Sequence, residues 1–325
     1  MLSVERARAL LDRARQARVL VAGDLMLDEF VWGKVSRISP EAPVPVVEVT
    51  GESAYAGGAA NVARNVRELG AAVSVTGLVG NDEAGRELAR LLDGSGIDSS
   101  PIVVDPNLPT IVKTRVVALH QQVVRIDREA RLVLNQSRRH ALTDQLRARM
   151  GDWDALILSD YAKGLLSAEF VAELCASARG RLIAVDPSPR NPLNWNGVTV
   201  VKPNLKEARA AARLGDDAMP DQAATALFGL WDTAMLLVTL GEHGMLLARP
   251  GEPSYHTPTR AREVYDVSGA GDTAIAVFTL ALGAGARPEE AAELANHASG
   301  VVVGKLGTAT VQAAELLESV ARTAA

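Results

Sequence analysis

The sequence predicts an α/β fold: a mostly parallel central sheet with helices on both faces, plus a small β-sheet lid. Three observations carry this expectation. Short apolar runs alternate with helical patterns through most of the 325 residues, the rhythm of βα units in a sheet covered on both sides. The strand candidates end in polar or glycine residues, where ligands of such sheets bind. Two stretches, Pro43–Thr50 and Thr110–Asp127, break the rhythm with β-type alternation.

Taken in order, Val4–Ala17 alternates Arg with Ala and Leu and reads as an amphipathic surface helix. Arg18–Ala22 is a strand ending at Gly23-Asp24. Gly58–Leu69 is a helix, with apolar positions at Ala59, Val62, Ala63, Val66 and Leu69. Val73–Leu78 is a strand and Ala84–Leu92 a helix. Ala155–Leu158, Leu182–Val185, Val198–Val201 and Met235–Thr239 read as buried strands, each followed by a turn and then a helix. Asp24, Asp28, Asp160, Asp186, Asn204 and Gly241 therefore fall near one rim. Within Thr110–Asp127 the simplest reading is a hairpin around Ala118–Gln122. With Pro43–Thr50 it forms an accessory sheet, spanning about residues 30–56 and 109–127 of a single 1–325 domain. Its exposed edges and apolar face suggest a homodimer formed through the lid; ordinary edge strands of the main sheet are the alternative. Met245–Ala248 and Ser254–Thr257 are further β runs before a helical final third.

Composition narrows the function. Hydrophobic residues make up 48% of the chain, enough for a large core, and the net charge is −5. With no long basic run, nucleic acid is not an expected partner. Cys175, the single cysteine, lies on the apolar side of helix Ser167–Ala178 and reads as a core residue, and disulfides within the chain are excluded. No apolar run reaches membrane-spanning length and no leader pattern opens the chain, so a cytoplasmic enzyme is expected. His120, His140, His243, His256 and His297 lack metal-ligand spacing. Gly300–Leu306 resembles a P-loop only superficially, having three residues between its glycines and Leu306 where Ser or Thr would hold Mg2+. Neither a dinucleotide fingerprint after the first strand nor a nucleophile elbow occurs.

The chemistry is concentrated in Asp266-Val267-Ser268-Gly269-Ala270-Gly271-Asp272-Thr273, which opens a long apolar helix. Small residues at Gly269, Ala270 and Gly271 leave backbone N–H groups free to point at one anion, and the helix dipole adds positive charge there. Asp272 places a carboxylate inside that nest, poised to take a proton from a hydroxyl while the amides hold a phosphoryl group. A second glycine-rich helix entry, Gly57-Gly58-Ala59-Ala60-Asn61, allows close ligand approach and gives Asn61 as donor and acceptor for a sugar hydroxyl. Asn204 and Glu207 sit three apart at a helix start and reach the same side, where a plain capping arrangement is the bland alternative.

Together, Ala56-Gly57-Gly58-Ala59-Ala60-Asn61, Asn204-Leu205-Lys206-Glu207 and Asp266–Thr273 resemble the signatures of the ribokinase-like (PfkB) carbohydrate kinases, from about Val19 to Val311. Segments Ser36–Val47, Leu158–Gly164, Glu263–Asp266 and Gly300–Thr310 are further similar to the kinases of that family that act on D-glycero-D-manno-heptose 7-phosphate. In many bacteria a nucleotidylyltransferase domain is fused behind such kinases; ending at Ala325, this chain reads as a kinase-only form. The resemblance implies ATP as donor, Mg2+ as cofactor, possible K+ dependence, and a 1,7-bisphosphate product used for lipopolysaccharide precursors. It makes Asp272 the base for the anomeric hydroxyl and the amides around Gly269–Gly271 the stabilisers of the γ-phosphoryl group. Glu207 is expected to organise Mg2+ through water. Thr239, Gly241, Gly244, Asn296 and Ser299, with Ala298, are expected around the nucleotide, together with Asn204. Asp266 and the Gly304–Thr310 loop match where relatives bind a monovalent cation. Asp28, Gly57, Gly58, Asn61, Asp160 and Asp186 are expected on the sugar, with Lys163, Arg125, Arg37 and Arg190 as candidate cations for its distal phosphate. Relatives often read Asp-Pro-Lys where this chain has Asp186-Pro187-Ser188, which leaves open a family kinase for fructose, ribose or a nucleoside. A non-catalytic sugar-binding regulator on the same fold is the other alternative.

Overall fold

The computed structural model describes residues 2–118, 121–130, 134–261 and 263–324. Helix α1 (Val4–Ala14) starts at Ser3, whose hydroxyl accepts from the Arg6 amide, and buries Ala7, Leu10, Leu11 and Ala14 along one stripe. Strand β1 (Arg18–Gly23) leads into two long strands, β2 (Leu25–Ile38) and β3 (Pro45–Gly58). After α2 (Ala59–Glu68) come β4 (Ala72–Thr76), β5 (Leu78–Gly80), α3 (Glu83–Gly94) and β6 (Val103–Asp105). Strands β7 (Ile111–Ala118) and β8 (Gln121–Arg128) pair antiparallel as the expected hairpin; the centre of its turn, 119–120, lies outside the described residues.

The middle of the chain continues with α4 (Gln136–Arg149), β9 (Ala155–Ser159), α5 (Ala168–Ser177), β10 (Leu182–Asp186) and β11 (Val198–Val201). Next come α6 (Leu205–Ala211), α7 (Pro220–Phe228), β12 (Thr233–Thr239), β13 (Met245–Ala248) and β14 (Tyr255–Thr257). Three helices close the chain: α8 (Ala270–Gly283), α9 (Pro288–Val302) and α10 (Ala313–Ala324).

The main sheet has eight strands in the order β14-β13-β12-β11-β10-β9-β1-β4, parallel from β4 to β12 and antiparallel at β13 and β14. Period-2 alternation sends successive side chains of its central strands into two cores. In β1, Val19 and Val21 join the cluster under α2, α8 and α9, while Leu20 and Ala22 join the one under α5 and α7. Each fully buried Val, Leu or Phe contributes roughly 1.5–3 kcal/mol, so strands apolar on both sides settle at the centre of the sandwich. Helix α8 is buried all round, continuously from Asp272 to Ala281. That burial carries its polar first turn to the rim of the sheet.

Two expectations of a helix after a strand are corrected. After β10 the prolines Pro187, Pro189 and Pro192 suppress helix, and an irregular loop anchored by buried Trp195 runs directly to β11. After β12, Gly241 and Gly244 have φ of 59° and 92°. A short 3-10 turn, Gly241–His243, then sends the chain back as antiparallel β13.

Strands β3-β2-β7-β8 form a separate four-stranded sheet, with β2 and β7 parallel and the outer pairs antiparallel. The accessory stretches are therefore not edge strands of the main sheet. Strand β2 escapes a sequence reading because Gly33, Ser36 and register shifts at Trp32/Gly33 and Val35/Arg37 interrupt its alternation. Cys175 is partly buried against the second core, and burial pushes its thiol up to about 11.

Candidate active site

Gly269, at φ 79°, caps α8, and a side chain there would collide with the Asn61 amide. At Gly271 an added Cβ would lie 3.3 Å from Lys202 Nζ and 3.8 Å from Asp186 Oδ2. The bare start of α8 is thus flanked by Asn61 from α2 and by an ion pair of buried Lys202 with part-buried Asp186, Nζ to Oδ1 at 2.9 Å, from the ends of β11 and β10. Asp272 is 4% exposed. Its Oδ2 accepts from Asn61 Nδ2 at 2.8 Å and its Oδ1 from the Tyr161 hydroxyl at 2.6 Å. Asn61 is oriented by Arg64, whose guanidinium donates to Asn61 Oδ1 and to the Thr308 carbonyl.

Burial, then the charge of Asp186, pushes the Asp272 carboxyl up to about 7, against the opposing effects of Asn61, Tyr161 and Lys202. A carboxylate titrating near neutrality is matched to general-base work. Burial disfavours charge on Lys202, but the nearby Asp186, Glu207 and Asp272 outweigh it and hold the ammonium protonated. A fixed cation beside a bare helix N-terminus is a strong place for a phosphoryl group.

On one side of Asp272, Asp28 is 3% exposed and pairs with Arg115 of β7 at 2.5 Å; that guanidinium also lies over Phe30. Gly57 is required here because any side chain would sit on the Asp28 carboxylate, and Gly58, at φ 60°, would press on the Asp24 carbonyl. Asp160 accepts from the Ala162 amide and from Asn191 Nδ2, and burial pushes it up to about 7. Lys163 pairs with Glu129 at 2.6 Å, and Lys113 with Asp127 and Glu129. Arg125 is tied to Asp127 on β8, across from Arg115. Arg37, near the far end of β2, and Arg190 are exposed and are not brought to this cluster.

On the other side of α8 lies a cavity of ≈ 450 Å3. It gathers Thr239, Gly241, Gly244, Asn296 and Ser299 with the backbone of Ala270 and Gly271, and Val264 and Val267 give it apolar walls. Asn296 Nδ2 donates to the Pro258 carbonyl at 2.6 Å and to Thr257 Oγ1 at 3.0 Å, pinning the chain after β14. Asn204 is exposed. It forms a reciprocal capping box with Glu207: Glu207 N donates to Asn204 Oδ1, and Asn204 N to Glu207 Oε2. Glu207 is raised by burial, with Asp186 adding to the effect. Asp266 Oδ1 accepts from the Ser268 amide and Oδ2 from the Gly307 amide, and the Thr308 hydroxyl beside this loop is buried with no partner. Among the described residues no three His, Cys, Asp or Glu side chains cluster as a metal cage.

Sequence reasoning gave no role to Lys202, Tyr161 or Arg115, and placed Asp24 only on the rim. Lys202 was legible as a lysine directly after the β-branched run Val198–Val201, at a strand's carboxyl end. Asp24 is fully buried and accepts the amides of Tyr161, Lys163 and Leu165, holding the whole loop. Tyr161 and Arg115 gave no signal, since their roles depend on partners 111 and 87 residues away.

A buried carboxylate at a bare helix start, between a charged cleft and an apolar cavity, is an arrangement suited to passing a phosphoryl group to a sugar hydroxyl. The chain belongs to the pfkB family of carbohydrate kinases, whose model matches residues 16–314. It is 46% identical over 315 residues to the bifunctional protein HldE of Geobacter sulfurreducens, covering 96% of this chain and 64% of that protein. Against the bifunctional protein HldE of Pseudomonas aeruginosa the figures are 44% over 311 residues, 95% and 65%. The chain therefore spans somewhat less than two thirds of these relatives. In fold it resembles Escherichia coli phosphofructokinase-2 crystallised with potassium (TM-score 0.77, 20% identity, 95% of this chain and 100% of that one). It also resembles Arabidopsis thaliana ribokinase complexed with ribose and ATP (TM-score 0.72, 19% identity, 94% and 99%).

Proposed function

We propose that this chain is an ATP- and Mg2+-dependent kinase that phosphorylates the anomeric hydroxyl of D-glycero-D-manno-heptose 7-phosphate to the 1,7-bisphosphate. One observation carries the kinase reading: Asp272, a buried carboxyl titrating near 7, lies beside Lys202 at the start of α8, between the Asp28 cleft and the cavity of Thr239 and Asn296. In this reading the sugar hydroxyl gives its proton to Asp272, while Lys202 and the amides at Gly269–Gly271 neutralise the transferring γ-phosphoryl group. ATP occupies the cavity. Glu207 suits Mg2+, a hard cation that keeps most of its waters, because it is a half-buried carboxylate close to the Lys202–Asp186 pair. When bound, Mg2+ supplies charge neutralisation on the phosphates. The Asp266 loop suits a monovalent cation, since the orphaned Thr308 hydroxyl gives it an oxygen with no other partner.

The heptose 7-phosphate assignment is supported by the segments quoted above and by the relatives at 42–46% identity. The cleft also suits a phosphorylated sugar. Lys113, Arg115, Arg125 and Lys163 outnumber the carboxylates of Asp28, Asp127 and Glu129 that they pair with, and a phosphate can exchange for those partners. Ser188, where relatives often carry lysine, is the observation that favours a second family substrate such as fructose or ribose. A silent regulator is disfavoured, because a binder has no need to keep a base at Asp272. Coupled ADP-release assays over a panel of sugars and sugar phosphates test the reading. Heptose 7-phosphate should give the highest kcat/KM, and equal or better turnover of an unphosphorylated sugar rejects it.

The four-stranded sheet serves as a lid and as a dimer surface in this proposal. Its face opposite Asp28 and Phe30 aligns Val31, Val116 and Val124, with Ile126 beside them; Val124 and Ile126 are each 46% exposed. No helix among the described residues is long and apolar enough to cross a membrane.

A further inference from the structure

The Asp160–Leu165 loop is clamped far more firmly than a surface connection requires. The fully buried Asp24 carboxylate accepts three of its amides, from Tyr161 and Lys163 at 3.0 Å and from Leu165 at 3.2 Å. Asp160 turns back to accept the Ala162 amide, and Asn191 holds Asp160 from the loop after β10. The clamp sustains two left-handed conformations, Ala162 at φ 57° and Gly164 at φ 109°. The first costs free energy in an alanine and persists only where its surroundings impose it. What this rigidity delivers to the start of α8 is the phenol of Tyr161 on Oδ1 of Asp272.

We propose that Tyr161 is a positioning residue for Asp272, its clamped phenol fixing the rotation of the carboxylate so that a free lone pair of Oδ1 faces the acceptor hydroxyl. This rests on the kinase reading above. Asn61 alone leaves the carboxylate free to turn about its bond to Cβ; a second donor on the other oxygen removes that freedom. Each carboxylate oxygen has room for more than one donor, so the phenol and the sugar hydroxyl can share Oδ1. The proton taken from the sugar ends on Asp272, and the phenol keeps its own. The surroundings enforce this: burial and the charges of Asp272, Asp186 and Asp28 hold the Tyr161 phenol well above its usual range. The groups facing Asp272 are Asn61 from α2, Tyr161 from the loop, Asp186 at the end of β10 and Lys202 after β11. The phenol is one of the donors that favour the charged, proton-accepting form against burial and Asp186.

The test is Tyr161→Phe, read in two ways. In kcat/KM against pH, the variant should fall about tenfold or more below wild type near pH 6, and the deficit should shrink toward pH 9 as its base finally ionises. In 13C NMR of aspartate-labelled protein, the carboxyl signal assigned by its loss in Asp272→Asn should titrate at higher pH in Tyr161→Phe. The chain has four tyrosines, so biosynthetic replacement by 3-fluorotyrosine, a stronger donor of the same shape, supplies a fold-preserving variant. Its Asp272 midpoint should move to lower pH, and should not move when the fluorinated protein also carries Tyr161→Phe. Unmoved midpoints, or a rate profile lowered by one constant factor at every pH, overturn the proposal. The NMR titrations need no turnover, so they decide the positioning role even if no sugar releases ADP, a result that would sink the kinase reading alone.

Discussion

Replacing Asp272 by asparagine separates catalysis from stability with opposite signs. The variant keeps the shape of the site: the new amide oxygen retains the Asn61 donor, and the new NH2 meets the Tyr161 hydroxyl, which rotates to accept. A general base contributes roughly 10²–10⁴ in rate, about 3–5 kcal/mol of barrier, so kcat should drop by that factor while nucleotide affinity stays near normal. Stability should move the other way. The carboxyl rises from 3.8 to about 7 on folding because it is buried near Asp186. A group whose folded pKa is raised favours the folded state fully below its unfolded pKa, and that contribution is lost as pH rises through the folded pKa. About three pH units at about 1.4 kcal/mol each make the loss on the order of 4 kcal/mol above pH 7. Asparagine never titrates, so the variant should gain stability over wild type as pH rises from 4 to 8. Urea unfolding at both ends of that range, with ADP release at pH 8, reads both effects. Retained turnover, or a stability difference that does not change with pH, refutes the reasoning.

Three further outcomes follow from the same geometry. Glu207→Gln should raise the Mg2+ concentration needed for half-maximal turnover, and an unchanged Mg2+ titration removes Glu207 from metal binding. Lys202→Met leaves the part-buried Asp186 without its cation and should destabilise by up to about 3–5 kcal/mol. Adding Asp186→Asn should restore urea stability but not turnover, whereas recovery of both would make Lys202 purely structural. Ile126→Asp should convert a dimer to monomers in light scattering without unfolding; an unaltered mass displaces the interface from this sheet face.

Much of this protein is written locally. Continuous apolar runs such as Ala155–Leu158 read as buried strands because every side chain there must leave water, and Gly269–Asp272 reads as an anion-binding helix start because backbone donors need only small neighbours to be exposed. These features depend on a few consecutive residues, so sequence alone determined the parallel sheet, the two glycine-rich helix entries and the family. Tertiary structure decided what lies beside them. The Lys202–Asp186 pair joins the ends of two neighbouring strands, and the Asp24 clamp and the Tyr161 phenol on Asp272 join residues 137 and 111 positions apart; no spacing rule records which charge meets which. The same applies to Gly57, whose missing side chain makes room for Asp28 across a strand pair. Burial and partner geometry set the proton affinity of a carboxyl, and both exist only once the chain has closed around it.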